Sequence, residues 1–339
     1  MRQACVVCQE PVSDEGIFAT REMMLGTRDA FHYFSCTDCG SLTLVDPPSD
    51  WTRYYPLDSY YSIGESSVLY APSWRRRRKT DVFLRAPRRL VSLTSRRSKT
   101  RRLSTPVWYP WFHALRLSRS SRFLDVGSGT GVLLHKLAAD GFRWLVGVDP
   151  FIEAPLAYPD GVRIVKGEIG DVSGKFDMVM FHHSLEHMAG PAEQLAAAAA
   201  VLSASGAILV RIPVADSWAF RHYGSDWVQL DPPRHQIILT DRAMERVADQ
   251  CGLSLQRTYR DSAAFQMWGS ELYRRNARLL DARPSDHFSS VELEAFQRQA
   301  DDLNGCADGD QGVYILRPNS ATRGSSHAGG SRAASPRCS

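Results

Sequence analysis

Residues Phe123 to Gly131 read Phe-Leu-Asp-Val-Gly-Ser-Gly-Thr-Gly, and this stretch limits the possible folds more than any other in the 339-residue chain. The apolar run Arg122 to Val126 predicts a short strand, Gly127 to Gly131 a turn, and Val132 to Ala139 an amphipathic helix closed by Gly141. Glycine at three alternate positions keeps the turn bare, because a side chain at any of them would stand between the backbone and a ligand. A second strand, Trp144 to Val148, ends at Asp149, 18 residues beyond Gly131. A carboxylate there can accept both hydroxyls of a ribose. Turn and acid together describe a site for a nucleoside-bearing cofactor across the carboxyl ends of the strands.

The same alternation continues down the chain. Strands are expected at Val162 to Lys166, before Gly167-Glu168, and at Phe176 to Phe181, which runs into His182-His183-Ser184-Leu185-Glu186-His187. An alanine-rich helix, Pro191 to Leu202, opens with proline where its missing N–H does least harm. Then come a strand Ala207 to Ile212, a polar and aromatic loop, and a helix Asp241 to Cys251 stopped by Gly252. Late strands near Leu253 to Tyr259 and Gly312 to Arg317 bracket a further helix, Val291 to Leu303. Strands separated by helical patterns imply an α/β fold with a parallel sheet covered on both faces. The Ser/Gly/Ala/Arg-rich stretch 319–339 reads as a disordered tail.

Cysteine spacing adds a second element at the N-terminus. Cys5-x-x-Cys8 and Cys36-x-x-Cys39 stand 27 residues apart, and two such knuckles close a tetrahedral thiolate site of the kind Zn²⁺ occupies in structural positions. Four protein ligands leave no position for substrate, so this metal would hold the fold. The domain reading is a zinc-ribbon module over 1–60, a basic and aromatic linker over 61–118, a catalytic domain over 119–318 and the tail.

Charge is uneven. Residues 75–102 hold 13 Lys and Arg and one acid, Asp81, while the rest of the chain has 28 Lys and Arg against 36 Asp and Glu. The basic run has three readings: a solvated helical linker, a membrane-peripheral segment with Trp108, Tyr109, Trp111 and Phe112 at the acyl boundary, or an RNA-binding arm. Pro87, Pro106 and Pro110 break any single long helix. No stretch approaches the ~20 apolar residues of a membrane span. No secretory signal is visible, and a cytoplasmic, reducing compartment is the expectation.

The spacing G-x-G-x-G with Asp125 beside it, in place of the dinucleotide G-x-G-x-x-G, suits a ligand bearing an ammonium and a sulfonium better than a pyrophosphate. Leu124 to Gly131, Gly147-Val148-Asp149-Pro150, Phe176-Asp177 and Leu185-Glu186-His187 resemble class I S-adenosylmethionine-dependent methyltransferases, closest to the ubiquinone-type O-methyltransferase branch. The resemblance covers about residues 120–318. The added four-cysteine ribbon is similar to that of sugar- and glycan-modifying methyltransferases. It implies a Rossmann-like seven-stranded methyltransferase sheet. Asp125, Gly127, Ser128, Gly129 and Gly131 would hold the methionine end, Asp149 the ribose, Glu168 with Ile169 the adenine edge, and His182 and His183 would sit near the sulfonium. The family usually has Cys where Ser128 stands.

Methyl transfer requires alignment of the acceptor and a place for its proton. His235, in Asp231-Pro232-Pro233-Arg234-His235, is the first candidate base or acceptor-orienting residue, with Arg234 presented beside it and His183 next in order. His187 with Glu186 reads as loop architecture around the cofactor. The expected acceptor is a hydroxyl of a sugar, glycan or lipid-linked intermediate, or of a small metabolite. The alternatives are an RNA methyltransferase that grips nucleic acid with ribbon and arginines, and a non-catalytic protein that binds S-adenosylmethionine.

Overall fold

The computed structural model describes residues 4–55, 73–86 and 109–319. The chain divides into two compact units, one drawn from Met1–Pro56, His183–Ala199 and Leu209–Ser339, the other from Leu57–His182 and Ala200–Ile208.

The first unit opens with an antiparallel meander, β1 (Ile17–Arg21), β2 (Ala30–Ser35) and β3 (Leu42–Leu44), with Phe18 facing Tyr33 and Ser35 facing Leu42. Along β2, Phe31 and Tyr33 are buried while Ala30 and His32 are exposed, the period-two pattern of a sheet with one face in a core. Three short strands cannot cover that face themselves. Trp227, Leu230 and Ile238, far along the chain, complete the core with Phe31, Tyr33, Leu42 and Leu44. The ribbon residues therefore share a unit with the late part of the chain.

The second unit contains the glycine turn. Its strands are β4 (Arg122–Val126), β5 (Trp144–Asp149), β6 (Leu156–Ala157), β7 (Arg163–Lys166) and β8 (Phe176–His182). The order is β8-β4-β5-β7-β6, parallel except for β6 at the edge. The two-residue β6 joins the seven strands expected. Phe123, Leu124, Val126, Met178, Val179, Met180 and Phe181 are all buried, as the near-continuous apolar sequence of a doubly covered parallel sheet requires. The helix Val132–Asp140 buries Leu134, Leu137 and Ala138 and stops at Gly141, whose φ of +101° is the left-handed cap conformation. β9 (Leu202–Pro213) begins beside β8 in this unit and ends in the other.

The first half of the basic segment is a helix, Trp74–Arg85. Arg76 pairs with the fully buried Asp140 at 2.5 Å, and Asp81 pairs with Arg119 at 2.5 Å, so part of this charge is spent on packing. Trp111 and Phe112, set at the acyl boundary in one of the three readings of this segment, are buried. Phe112 packs against Phe123 and Phe142 at ring separations of 5.2 and 5.7 Å. Trp108 and the tail lie outside the described residues. Among the described residues no helix is long and apolar enough to cross a membrane.

Back in the first unit, β10 (Ile237–Ile238) pairs with β3, and β11 (Leu253–Arg260) lies antiparallel to β12 (Gln311–Pro318), which borders the end of β9. Three helices stand between β11 and β12: Phe265–Arg274, not expected from sequence, the four-residue Pro284–His287, and Ser290–Gly305, capped by a reciprocal Ser289–Glu292 box.

Arg234 is fully buried and donates to Asp231 Oδ1 at 2.5 Å, Asp231 Oδ2 at 2.9 Å and Glu22 Oε1 at 2.8 Å. Glu22, also fully buried, accepts the backbone N–H of Leu25 and of Thr27 with its two oxygens. Removing one partner of such a group strands the other charge without water. Glu22→Ala is expected to lower unfolding free energy by about 3–5 kcal/mol, read as a shift in the urea midpoint.

Candidate functional site

β4 delivers the chain to Gly127, and the turn is held by the neighbouring strand. Gly127 donates its N–H to Val148 O at 2.9 Å, and Gly129 donates to Asp149 Oδ2 at 2.8 Å. The other oxygen of Asp149 accepts the N–H of Phe151 at 2.8 Å. Asp149 thus fixes the glycine turn and keeps spare lone pairs on both oxygens. Gly131 adopts φ +89°, and a Cβ at Gly147 would overlap the Ser128 hydroxyl. The cradle tolerates no side chain at either place.

Asp125, at the end of β4, is buried. Its carboxyl is pushed up to about 8, first by burial and then by the negative charge of Asp149. A cation would reverse that penalty. Glu168 donates its backbone N–H to Asp171 Oδ2 at 2.9 Å at the start of a short helical turn, where Ile169 is buried, and His182 closes β8. Asp125, Gly127, Ser128, Gly129, Gly131, Asp149, Glu168, Ile169 and His182 all belong to the second unit.

The acceptor-side candidates belong to the first unit. His183 sits at φ +57° after β8. Its Nε2 takes a hydrogen bond from Arg211, so Nδ1 carries the proton and donates to Glu186 Oε1 at 3.3 Å. Burial and the Arg211 charge hold its pKa well below the usual histidine value. Its lone pair is occupied. Arg234 is likewise committed, to Asp231 and Glu22.

His235 is buried, and its Nδ1–H donates to Gln229 O at 2.7 Å. His187 donates Nδ1–H to Arg234 O at 3.0 Å, with the Tyr55 hydroxyl 3.2 Å from the same nitrogen. A carbonyl can only accept, so in both rings Nδ1 carries a proton, and the neutral form of each ring bears its lone pair on Nε2. His235 Nε2 lies 4.0 Å from Asp231 Oδ2. The two rings lie 4.8 Å apart, edge to face. Burial, then the neighbouring His235, lowers the His187 pKa to about 4. The pairing of His187 with His235 escaped sequence reading. The signal was the Leu185-Glu186-His187 motif, but its partner lies 48 residues downstream.

The four N-terminal cysteines converge, with Cys5 Sγ 3.5 Å from Cys39 Sγ and Cys8 Sγ 3.4 Å from Cys36 Sγ. All four are free thiols, far beyond a disulfide length of about 2.05 Å. The separations are close to the edge of a tetrahedron with metal–sulfur distances of about 2.3 Å. Thr240 ties the second knuckle to its surroundings by donating to Cys39 O at 2.6 Å.

The Asp125 shift has a testable sign. A carboxyl raised in the folded state binds a proton that the unfolded chain has lost, so its contribution to stability declines as pH rises from its unfolded value near 4 towards about 8. Asp125→Asn removes that decline. Urea midpoints should show the variant gaining on wild type by up to about 3 kcal/mol between roughly pH 5.5 and 8.5, and equal gains at both pH values would contradict the buried-acid geometry.

The sequence matches the family described as a methyltransferase domain over residues 83–258, more than half of the chain. No curated protein matches it. Among solved structures, the chain is similar to a mycolic acid cyclopropane synthase complexed with S-adenosylhomocysteine, at 15% identity and TM-score 0.38, covering 59% of this chain and 79% of that one. It is similar to a putative sarcosine dimethylglycine methyltransferase from Galdieria sulphuraria, at 15% identity and TM-score 0.38, covering 60% and 80%. It is also similar to a Burkholderia thailandensis 1,6-didemethyltoxoflavin-N1-methyltransferase, at 12% identity and TM-score 0.38, covering 84% and 98%. The family match, on a domain that carries the glycine turn and Asp149 beside it, places this chain among the methyltransferase-domain proteins as an S-adenosylmethionine-dependent methyltransferase.

Proposed function

We propose that the acceptor is a hydroxyl, on a sugar, a glycan or lipid-linked intermediate, or a small metabolite. The observation that carries this reading is the pair of Nε2 lone pairs on His187 and His235, buried bases of the kind a neutral hydroxyl needs to lose its proton. S-adenosylmethionine, when bound, supplies the electrophilic methyl group. The bare turn and the Gly147 cradle leave room for it, Asp149 is the acid assigned to the ribose hydroxyls, and Asp125 to the positive methionine end. Glu168 and Ile169 are assigned to the adenine, with Gly127, Ser128, Gly129, Gly131 and His182 around the donor.

On the acceptor side we assign the proton to His235, with His187 beside it. His183 serves as a link between Arg211 and Glu186, and Arg234 holds the loop that carries His235. The balance is simple: the acceptor oxygen gains methyl, its proton goes to the base, and the sulfonium becomes a neutral thioether. An RNA acceptor is less favoured, since Arg76 is engaged with Asp140.

Gly129→Val places a branched side chain at φ +53° inside the turn. Calorimetry is expected to show loss of S-adenosylmethionine binding with the fold retained. Transfer of labelled methyl to a hydroxyl in wild-type reactions with glycan or small-molecule fractions supports the acceptor reading, and label found only on nitrogen or RNA overturns it.

We also assign one structural Zn²⁺ to Cys5, Cys8, Cys36 and Cys39, a donor set that suits this ion. Cys36→Ser should remove one bound zinc by elemental analysis and reduce the yield of folded protein. Unchanged zinc content would rule the assignment out.

A further inference from the structure

Apart from the four cysteines, one other set among the described residues of the first unit brings together ligand atoms that suit a metal. Glu186, His187 and His235 each offer one, all within 4.8 Å of one another. The orientation of the side chains is more telling than their proximity. Both histidines spend Nδ1–H on a backbone carbonyl, His187 on Arg234 O and His235 on Gln229 O. That outer contact fixes the proton on Nδ1 and makes Nε2 the ligand atom of each neutral ring, the arrangement by which metal-ligating histidines are commonly fixed.

Glu186 supplies the third atom. Its side chain is fully buried, Oε1 accepts from His183, and Oε2 has no hydrogen-bond partner among the described residues. A carboxylate oxygen left dry and unpaired is costly unless something positive reaches it.

The surrounding charge has the same sign. Asp231 acts electrostatically on both histidines, and Glu22 shares Arg234 with it. Glu186, Asp231 and Glu22 set three formal negative charges against the one guanidinium of Arg234. Arg211, behind His183, is paired with Asp261 at 2.8 Å. A divalent cation balances the remainder.

We propose that Glu186, His187 and His235 form a divalent transition-metal site separate from the four-cysteine site. Two imidazoles and one carboxylate are a nitrogen-rich set that favours Zn²⁺, Fe²⁺ or Co²⁺ over Mg²⁺ or Ca²⁺. Drawing the three atoms to about 2.1 Å from an ion closes their spread by roughly 1 to 1.5 Å, within the reach of side-chain torsions. The lone pairs that would hold the ion are the ones the hydroxyl-acceptor reading uses as bases, so in an ion-bound form His187 and His235 would take no proton. The site itself does not rest on the hydroxyl-acceptor reading.

The test uses the full chain stripped of metal and titrated with Co²⁺. Two equivalents are expected: one with intense thiolate-to-cobalt charge-transfer absorption from the cysteines, and one with only the weaker ligand-field bands of nitrogen and oxygen donors. Glu186→Gln, which keeps the side-chain shape, and His235→Ala should each weaken or abolish the second equivalent by more than about tenfold. The cysteine charge-transfer band, retained in the same samples, reports that the unit is folded. A variant that loses that band is replaced by His187→Gln, for which the same loss of the second equivalent is expected. A single equivalent in wild type, or a second equivalent that survives in both Glu186→Gln and His187→Gln, overturns the proposal. Because cobalt is counted without any methyl donor, failure here is distinct from failure of the acceptor assignment.

Discussion

A guanidinium sealed from water at Arg234 sets terms for everything around it. Such a charge persists only with carboxylates and carbonyls at hydrogen-bond distance, and Asp231, Glu22 and the Tyr54 carbonyl meet that requirement. Each of these anchors a different stretch of chain. Glu22 follows β1, Asp231 precedes the Pro-Pro pair, and Tyr54 ends the N-terminal region. Once they are drawn together, the loop 231–236 has little freedom, and the carbonyls of Gln229 and Arg234 stand where they orient His235 and His187. The orientation of the two rings is therefore a consequence of satisfying a buried charge some distance from their Nε2 atoms.

The second unit solves a different problem with a single side chain. Parallel strands end in unpaired backbone groups, and the glycine turn after β4 would be loose if left to itself. Asp149 takes the Gly129 and Phe151 amides, so the acid assigned to a ribose is also the brace of the turn. Asp125 is driven towards its neutral form by burial beside Asp149. Binding of a positively charged donor would relieve the strain of placing two acids together.

Much of this was legible from the chain alone. The strand boundaries 122–126 and 144–149, the helix after Gly131 and its stop at Gly141 follow from apolar periodicity and from glycine at left-handed positions, which are local properties. The helix Trp74–Arg85 falls within the helical-linker reading of the basic run, whereas Phe265–Arg274 hid in a mixed sequence whose buried side follows contacts with Met23, Val228 and Phe288. The aromatic residues Trp111 and Phe112 looked available for a membrane because composition carries no record of which side a ring faces.

Sequence by itself determined the glycine turn with the strand and helix on either side of it, and each cysteine knuckle, since each is a short motif in which neighbours in the chain are neighbours in space. Tertiary structure alone decided that Arg234 is a tie, that the lone pair of His183 is taken by Arg211, and that Glu186, His187 and His235 share one buried pocket of charge. Those facts depend on which carbonyl or carboxylate lies opposite each nitrogen, and residues tens to hundreds of positions apart meet only after the sheets have formed.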